Sequence, residues 1–239
     1  MGIFEFLGDL LPKLLKAAVV TLELTAGSIA LGFVAGILLS LGRVYGPRPI
    51  RWFTTGYISF FRGTPLLTQL LLVYFGLPPY LAMIGIKISP MVAAIIGLGL
   101  NSAAYQAEYF RGAVQSISSG QMMAARSIGL SRLKAIRYII LPQALRLVIP
   151  SWSNELIYSI KYSSLAYFLT GIQEIMFVGR KEALRTANTF QVYLVVALIY
   201  LVIVLIVSKL LSMIEDRTRI PGLGIGRSRA DEARTGRSR

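Results

Sequence analysis

The chain has 239 residues, of which 55% are apolar and only 15% charged, and its formal net charge is +14 without a single cysteine or histidine. Charged residues make up about 25% of soluble domains, so this composition excludes an ordinary soluble globule and a disordered chain. The missing residue types exclude disulfides, zinc–thiolate and iron–sulfur sites, histidine metal ligands and Ser-His triads. A membrane protein with an excess of positive charge remains.

Five stretches reach the roughly 20 mostly apolar residues that a transmembrane helix needs. They cover about residues 14–41, 52–77, 90–110, 144–169 and 190–211. The first is too long for the apolar core of a signal peptide, so we expect it to be retained. The sequence therefore predicts an all-α membrane protein with five transmembrane helices in a domain over residues 1–219. A disordered basic tail is predicted over residues 220–239.

Lysine and arginine counts predict the orientation of these helices. With five spans, the segments 43–51 and 111–137 and the region from Lys209 onward share one side and carry 16 basic residues, against six on the other side. Because basic residues are retained in the cytoplasm, we expect the N-terminus outside and the C-terminus inside.

The second stretch is interrupted by Arg62, Gly63, Thr64 and Pro65. Proline lacks an N–H group and disfavours helical angles in the residue before it, so the helix is predicted to break here. A half-helix that starts at Leu66 would direct its free N–H groups towards an anion such as an α-carboxylate. The alternative is a packing kink without a ligand.

Polar side chains follow helical spacing on the third and fourth stretches. Asn101, Tyr105 and Glu108 share one face of the third helix, and Glu155 and Lys161 lie on the fourth. Ionisable groups at membrane depth are costly and therefore suggest function. For Glu108 and Glu155, contact with substrate and structural ion pairing both stay open, and Glu108 could pair with Arg62 or Lys161.

The connection over residues 118–142 has the pattern of two short helices. Ser118 and Gln121 fit a capping box, Gly129 is a typical stop, and Ser131 can cap a second helix. Such a segment could lie on the membrane surface or dock on a partner.

This connection resembles the "EAA" signature of ABC-importer permease subunits. Ala124, Ala125, Gly129 and the segment 139–142 match six of its seven positions at the right spacing, while Met123 stands where the family usually has Glu. Residues 61–65, 101–108 and 154–157 are similar to the polar amino-acid branch. The resemblance spans about residues 14–215.

The resemblance implies a type I ABC-importer permease-like fold and a coupling helix that docks on a cytoplasmic ATPase subunit. The implied contacts with this ATPase are Met122, Met123, Ala124, Ala125, Ser127, Gly129 and Leu130. The implied substrate-binding residues are Arg62, Gly63, Thr64, Pro65, Asn101, Tyr105, Glu108, Glu155 and Lys161. The expected substrate is a polar L-amino acid, with a basic one as the narrower hypothesis.

The same resemblance implies an assembly in a prokaryotic plasma membrane. Its parts are a second permease subunit, identical or different, an ATPase subunit that binds ATP and Mg²⁺, and an extracytoplasmic solute-binding protein. This chain itself is expected to bind no cofactor, metal or nucleic acid and to catalyse no reaction. It has no Gly-Lys dipeptide, which a P-loop requires.

Two other classes of function stay open at this point. An ATP-independent channel or secondary transporter would need no ATPase, and flux without ATP would distinguish it. A membrane-embedded enzyme would modify its substrate, but no catalytic motif supports that class.

Overall fold

The computed structural model describes residues 3–218, so the predicted tail over residues 220–239 lies outside the described residues. Every regular element between residues 3 and 218 is helical, in agreement with the predicted all-α fold. The helices are α1 (Ile3–Tyr45), α2 (Arg48–Gly63), α3 (Leu66–Met83), α4 (Pro90–Ser116), α5 (Ser119–Ser127), α6 (Arg132–Ala135), α7 (Leu141–Leu147), α8 (Ile149–Tyr162), α9 (Ile175–Thr186) and α10 (Thr189–Thr218). A π-helical turn (Ile136–Ile140) joins α6 to α7, and a 3-10 turn (Ser163–Phe168) follows α8.

Within residues 3–218, three helices have the length and apolar composition to cross a membrane. They are α1 from Phe4 onward, α3 and α10. On α10, the side chains of Leu194, Leu198 and Leu205 are each about half exposed, although they lie in the middle of an apolar helix. A helix that is apolar all round and still exposed is suited to contact with lipid.

Helix α4 packs closely along α1 because both helices carry small residues at the contact. A Cβ atom on Gly36 would lie 2.9 Å from Cβ of Gln106, and one on Gly99 would lie 2.7 Å from Leu31 Cδ2. Gly32 and Gly36, which form a Gly-x-x-x-Gly pattern typical of contacts between membrane helices, meet α4 directly. This close contact forms the centre of the bundle.

The predicted stretch over residues 144–169 is divided into shorter helices. Helix α7 ends at Leu147 and α8 begins at Ile149, next to Pro150, which cannot donate a backbone hydrogen bond. Beyond Tyr162 the chain tightens into the 3-10 turn. There the hydroxyls of Ser163 and Ser164 donate to the carbonyl oxygens three residues earlier, at 2.7 Å each.

Candidate functional site

The predicted helix break lies between α2 and α3. Thr64 has φ −119° and ψ 153°, and Pro65 follows with extended angles, so neither residue continues the helix. Helix α3 then starts at Leu66, as predicted, and no side chain caps it. The side-chain amide of Gln69 donates to the carbonyl oxygens of Phe61 (2.9 Å) and Thr64 (3.0 Å). These bonds satisfy carbonyl groups that the break has freed from the end of α2.

Asn101 supports this break and does not face an open path. Its side-chain nitrogen donates to the Phe61 carbonyl oxygen at 3.2 Å and to Gln69 Oε1 at 2.7 Å. Only 6% of Asn101 and 3% of Gln69 are exposed. Gln69 was not among the predicted site residues, although an amide four residues after the proline in an apolar run was a usable signal.

Glu108 is the centre of an arginine cluster. Its carboxylate accepts hydrogen bonds from Arg43 and, at 2.7 and 3.0 Å, from Arg111, while Arg62 Nη1 lies 3.9 Å away. The sequence indicated pairing with Arg62 but not with Arg43 or Arg111. One carboxylate among three guanidinium groups leaves the cluster with a net positive charge, and with its accepting oxygens occupied Glu108 fits a structural ion pair.

Arg62 also contacts an aromatic face. Its guanidinium carbon lies 5.4 Å from the centroid of the Tyr105 ring, a cation–π arrangement. The Arg62 side chain remains 45% exposed, whereas Glu108 is 14% exposed. Arg62 and Tyr105 therefore present cationic and aromatic surface, while the acid beneath them is covered.

Glu155 is buried in a polar chain that links α1, α4 and α8. Ser102 Oγ donates to its carboxylate at 2.7 Å, and Gln106 donates to Ser102 Oγ at 3.0 Å and to the Ile29 carbonyl oxygen at 3.3 Å. Trp152 Nε1 closes the chain by donating to Gln106 Oε1 at 3.0 Å. With 5% of Glu155 exposed, this network favours the structural alternative for that residue.

One face of α8 is polar and open. Asn154, Tyr158, Lys161 and Tyr162 are exposed and recur at intervals of three to four residues. Lys161 Nζ lies 4.4 Å from the centroid of the Tyr158 ring, and the rings of Tyr158 and Tyr162 stack. Among residues 3–218, Lys161 forms no ion pair.

The predicted helix pair over residues 118–142 is present. Ser118 Oγ accepts from the Gly120 N–H at 3.3 Å and Ser131 Oγ accepts from the Lys134 N–H at 3.3 Å, so both predicted N-caps are confirmed. The Gln121 N–H donates to the backbone oxygen of Ser118, whereas the predicted capping box requires it to donate to the Ser118 hydroxyl. Gly129 ends the segment after α5 with φ +86°, a value that favours glycine. The outward and inward faces of α5 differ, since Met123 is 64% exposed and Ala125 only 4%.

A second charged cluster ties the start of α1 to α9. Lys13 lies 2.9 Å from Asp9 and 3.1 Å from Glu182, and Arg185 pairs with both acids. Burial alone would raise the pKa of Glu182, but hydrogen bonds from Arg185 and Lys13 outweigh it and lower that pKa. In the sequence these residues counted only towards the charge of the loops.

Glu174 is a buried acid at the start of α9. Its carboxylate caps the helix by accepting from the N–H groups of Met176 (2.8 Å) and Phe177 (2.6 Å) and from the Tyr200 hydroxyl (3.0 Å). Burial raises the pKa of Glu174 to about 7, although these three donors favour its charged form. No motif in the sequence identified this residue.

The described helices are those of a helical membrane protein. One of its helices is broken beside a cationic and aromatic surface, and a separate pair of short helices is exposed. The family described as "Binding-protein-dependent transport system inner membrane component" matches residues 28–220. The chain belongs to this family.

Individual relatives indicate the branch of the family to which the chain belongs. The chain is 38% identical to the probable amino-acid permease protein YxeN of Bacillus subtilis, over 89% of this chain and 94% of the relative. It is 40% identical to the probable amino-acid ABC transporter permease protein PatM of Vibrio harveyi, over 86% and 92%. It is 36% identical to the glutamine transport system permease protein GlnP of Escherichia coli, over 88% and 94%. These relatives confirm the predicted polar amino-acid branch of ABC-importer permeases.

Solved structures agree with this assignment. A crystal structure of an amino acid ABC transporter with histidines matches at a TM-score of 0.78 and 34% identity, over 91% of this chain and 99% of the other. An inward-facing MetNI methionine ABC transporter matches at 0.74 and 21% identity, over 89% and 99%, which shows the fold alone.

Proposed function

We propose that this chain is the permease subunit of an ATP-driven importer for polar L-amino acids and forms one wall of the translocation path. The observation that carries the proposal is the broken α2–α3 helix beside Arg62 and Tyr105, in a chain that belongs to an importer family. The path would open to each side of the membrane in turn. In this alternating-access mechanism, the chain itself would catalyse no reaction.

We further propose five membrane crossings with the N-terminus outside. Helices α1, α3 and α10 supply three, and α4 and the α7–α8 region supply the other two. Support comes from the charge asymmetry of the sequence and from the 27-residue length of α4. The exposed basic residues on α5, α6 and the π-helical turn would then face the cytoplasm.

Fewer residues qualify as candidate substrate contacts than the sequence predicted. Arg62 and Tyr105, the break at residues 63–65, and Lys161 on the open face of α8 keep exposed polar or aromatic surface. Asn101, Glu108 and Glu155 use their polar atoms on protein partners. We assign these three to the support of the path and not to its lining.

The exposed helix pair is the proposed contact with the ATPase subunit. Met123, Ala124 and Ser127 lie on the outside of α5, whereas Met122 and Ala125 face the bundle and hold the helix in place. Gly129 and Leu130 form its end, where the Leu130 N–H donates to the Ala125 carbonyl oxygen at 3.2 Å. ATP and Mg²⁺ would bind to the partner. A second permease subunit and an extracytoplasmic solute-binding protein would complete the assembly. The family description, which names a binding protein, and a similar alginate ABC transporter structure, which is in complex with a periplasmic protein, support the second of these partners.

Uptake into proteoliposomes tests this function. The chain is reconstituted with an ATPase subunit and a solute-binding protein from the same organism, and import of radiolabelled L-glutamine and L-arginine is measured with and without ATP. We expect ATP-dependent import, and Arg62→Ala should reduce it at least tenfold. Arg48→Ala, on the exposed start of the same helix, is the matched control. Flux of equal size without ATP would support the channel or secondary-transporter class.

A further inference from the structure

The segment between Glu108 and Glu155 carries positive charge only. Its 46 residues include no Asp or Glu, but six basic residues. Of these, Arg111 pairs with Glu108, while the other five are exposed and form no ion pair within residues 3–218. The five are Arg126, Arg132, Lys134, Arg137 and Arg146. A partner that covers this surface must supply the missing negative charge.

Large apolar side chains stand between these basic residues. Met123 is 64% exposed, Ile128 78%, Leu133 75% and Tyr138 61%. Exposed apolar groups of this size, interspersed with charge, are typical of a protein interface. We call this surface of residues 123–138 the cationic dock.

The framework beneath the cationic dock is ordered by packing. Met122 packs against the cluster that contains Phe110 and Ile140, and Ala135 is fully buried. Ser118 caps the start of α5, and Gly129 fixes its end. The outward direction of Met123 is therefore set before any partner binds, which lowers the conformational cost of docking.

Met123 is the fifth of the nine residues of α5 and lies beyond the first turn, in which the helix dipole favours an acidic side chain. Neither α5 nor α6 has an acid in its first turn. An uncharged Met at this exposed position gains nothing from the helix itself, so its thioether is suited to an apolar pocket on another molecule.

We propose that the cationic dock fits a cleft on the ATPase subunit whose floor is apolar and whose rim is acidic, and that Met123 is a specificity-determining residue that fills the floor. This inference rests on the proposed function, because it describes the surface through which that function couples to ATP. A subunit whose cleft is built to bind an acidic side chain at this position would be rejected. The rim acids would pair with Arg126, Lys134 and Arg137.

A pair of variants that differ mainly in charge tests the role of Met123. Met123→Gln and Met123→Glu have side chains of nearly the same size, and both are made in the full-length chain in lipid nanodiscs. Binding of the ATPase subunit from the same organism is measured by titration at 50 and 300 mM salt. We expect Met123→Gln to weaken binding less than threefold and Met123→Glu at least tenfold. Equal affinity of the two variants would overturn the proposal.

Salt dependence and charge reversal test the acidic rim. Because screening weakens exposed charge pairs, affinity for the unmodified chain should fall several-fold between the two salt concentrations. Lys134→Glu should weaken binding and reduce that salt dependence, since it places a carboxylate opposite the rim. Salt-independent binding would contradict an acidic rim, and failure of the unmodified chain to bind the ATPase would instead contradict the proposed function.

The membrane surface is the competing occupant of the cationic dock. The chain has no cysteine, so Met123→Cys allows a single environment-sensitive fluorophore to be attached at this position. We expect its emission to be that of a water-exposed probe in nanodiscs of anionic lipid and to shift to the blue only when the ATPase subunit is added. A blue shift with lipid alone would show that lipid occupies the surface and would overturn the proposal.

Discussion

Replacement of Gln69 by Leu should destabilise the helix break without changing side-chain volume much. Gln69 makes four hydrogen-bond contacts at this site: its amide nitrogen contacts the carbonyl oxygens of Phe61 and Thr64 and the Thr64 hydroxyl, and its oxygen accepts from Asn101. Because the amide nitrogen carries two hydrogens, these contacts correspond to two donated bonds and one accepted bond at a time. Side-chain hydrogen bonds between helices in a membrane contribute on average about 0.6 kcal/mol each. Loss of the three bonds therefore predicts a cost of about 2 kcal/mol in the free energy of unfolding.

The melting temperature of the purified chain in detergent measures this cost. For a chain of about 150–250 residues, 1 kcal/mol corresponds to a shift of about 2–4 °C, so Gln69→Leu should lower the melting temperature by about 4–8 °C. Trp52 and Trp152 supply the fluorescence signal. Gln191→Leu, at an exposed glutamine on α10, is the matched control and should shift it by less than 1 °C.

A double-mutant cycle with Asn101→Leu shows whether the network acts as one unit. Asn101 shares both the Gln69 side chain and the Phe61 carbonyl oxygen, so the second substitution should cost clearly less in the Gln69→Leu background than alone. Additive effects, or a melting temperature unchanged by Gln69→Leu, would refute the conclusion that these amides hold the break together.

Three further substitutions test the rest of the structure. Gly36→Leu should lower the free energy of unfolding by about 1–3 kcal/mol, because its Cβ would lie 2.9 Å from Gln106 Cβ. Gly8→Leu is the control: its side chain would enter open space, so the melting temperature should not change. Glu108→Gln should lower the free energy of unfolding by about 2 kcal/mol, which is less than the 3–5 kcal/mol lost when one partner of a fully buried ion pair is removed. An unchanged melting temperature together with lost uptake would instead show that Glu108 belongs to the substrate site. The pKa of Glu174 is about 7 in the folded chain against an ordinary 4.5, so the folded state binds more protons and stability should fall as pH rises from about 4.5 to 7. Glu174→Gln should flatten this part of the melting curve against pH, and an equally steep dependence in that variant would contradict the assignment.

The helix break and the exposed helix pair could be predicted because local chemistry determines them. Pro65 stops α2 whatever surrounds it, and Ser118 and Gly129 define α5 through their own side chain and backbone. The signature in residues 123–142 is equally local, because its residue types and spacing lie in one continuous segment, and it therefore sufficed to indicate the family.

Pairing between distant segments could not be read from the sequence. Arg43 is 65 residues from Glu108 and stood in a predicted loop, so nothing in its local pattern linked it to that acid. Arg111 is only three residues from Glu108, a spacing at which helical side chains meet, so this pair was open to prediction. Gln69 looked like one polar residue in an apolar run until α4 brought Asn101 to it. Spacing on one helix shows which side chains share a face, but only packing shows what that face meets.

The pairings change the expected chemistry of the substrate path. Two acids that faced the path would suit a basic amino acid, yet Glu108 is enclosed by arginines and Glu155 is 5% exposed in a hydrogen-bonded chain. The charged and aromatic groups that this chain leaves open beside the break and on α8 are a guanidinium, an ammonium and tyrosine rings, and the Asn154 amide lies on the same face of α8. Such a surface suits the α-carboxylate of an amino acid and gives a cationic side chain no counter-charge. In competition for uptake, we therefore expect L-glutamine to displace labelled substrate more effectively than L-arginine. The reverse order would show that acids from another subunit, or a rearranged Glu108, face the substrate.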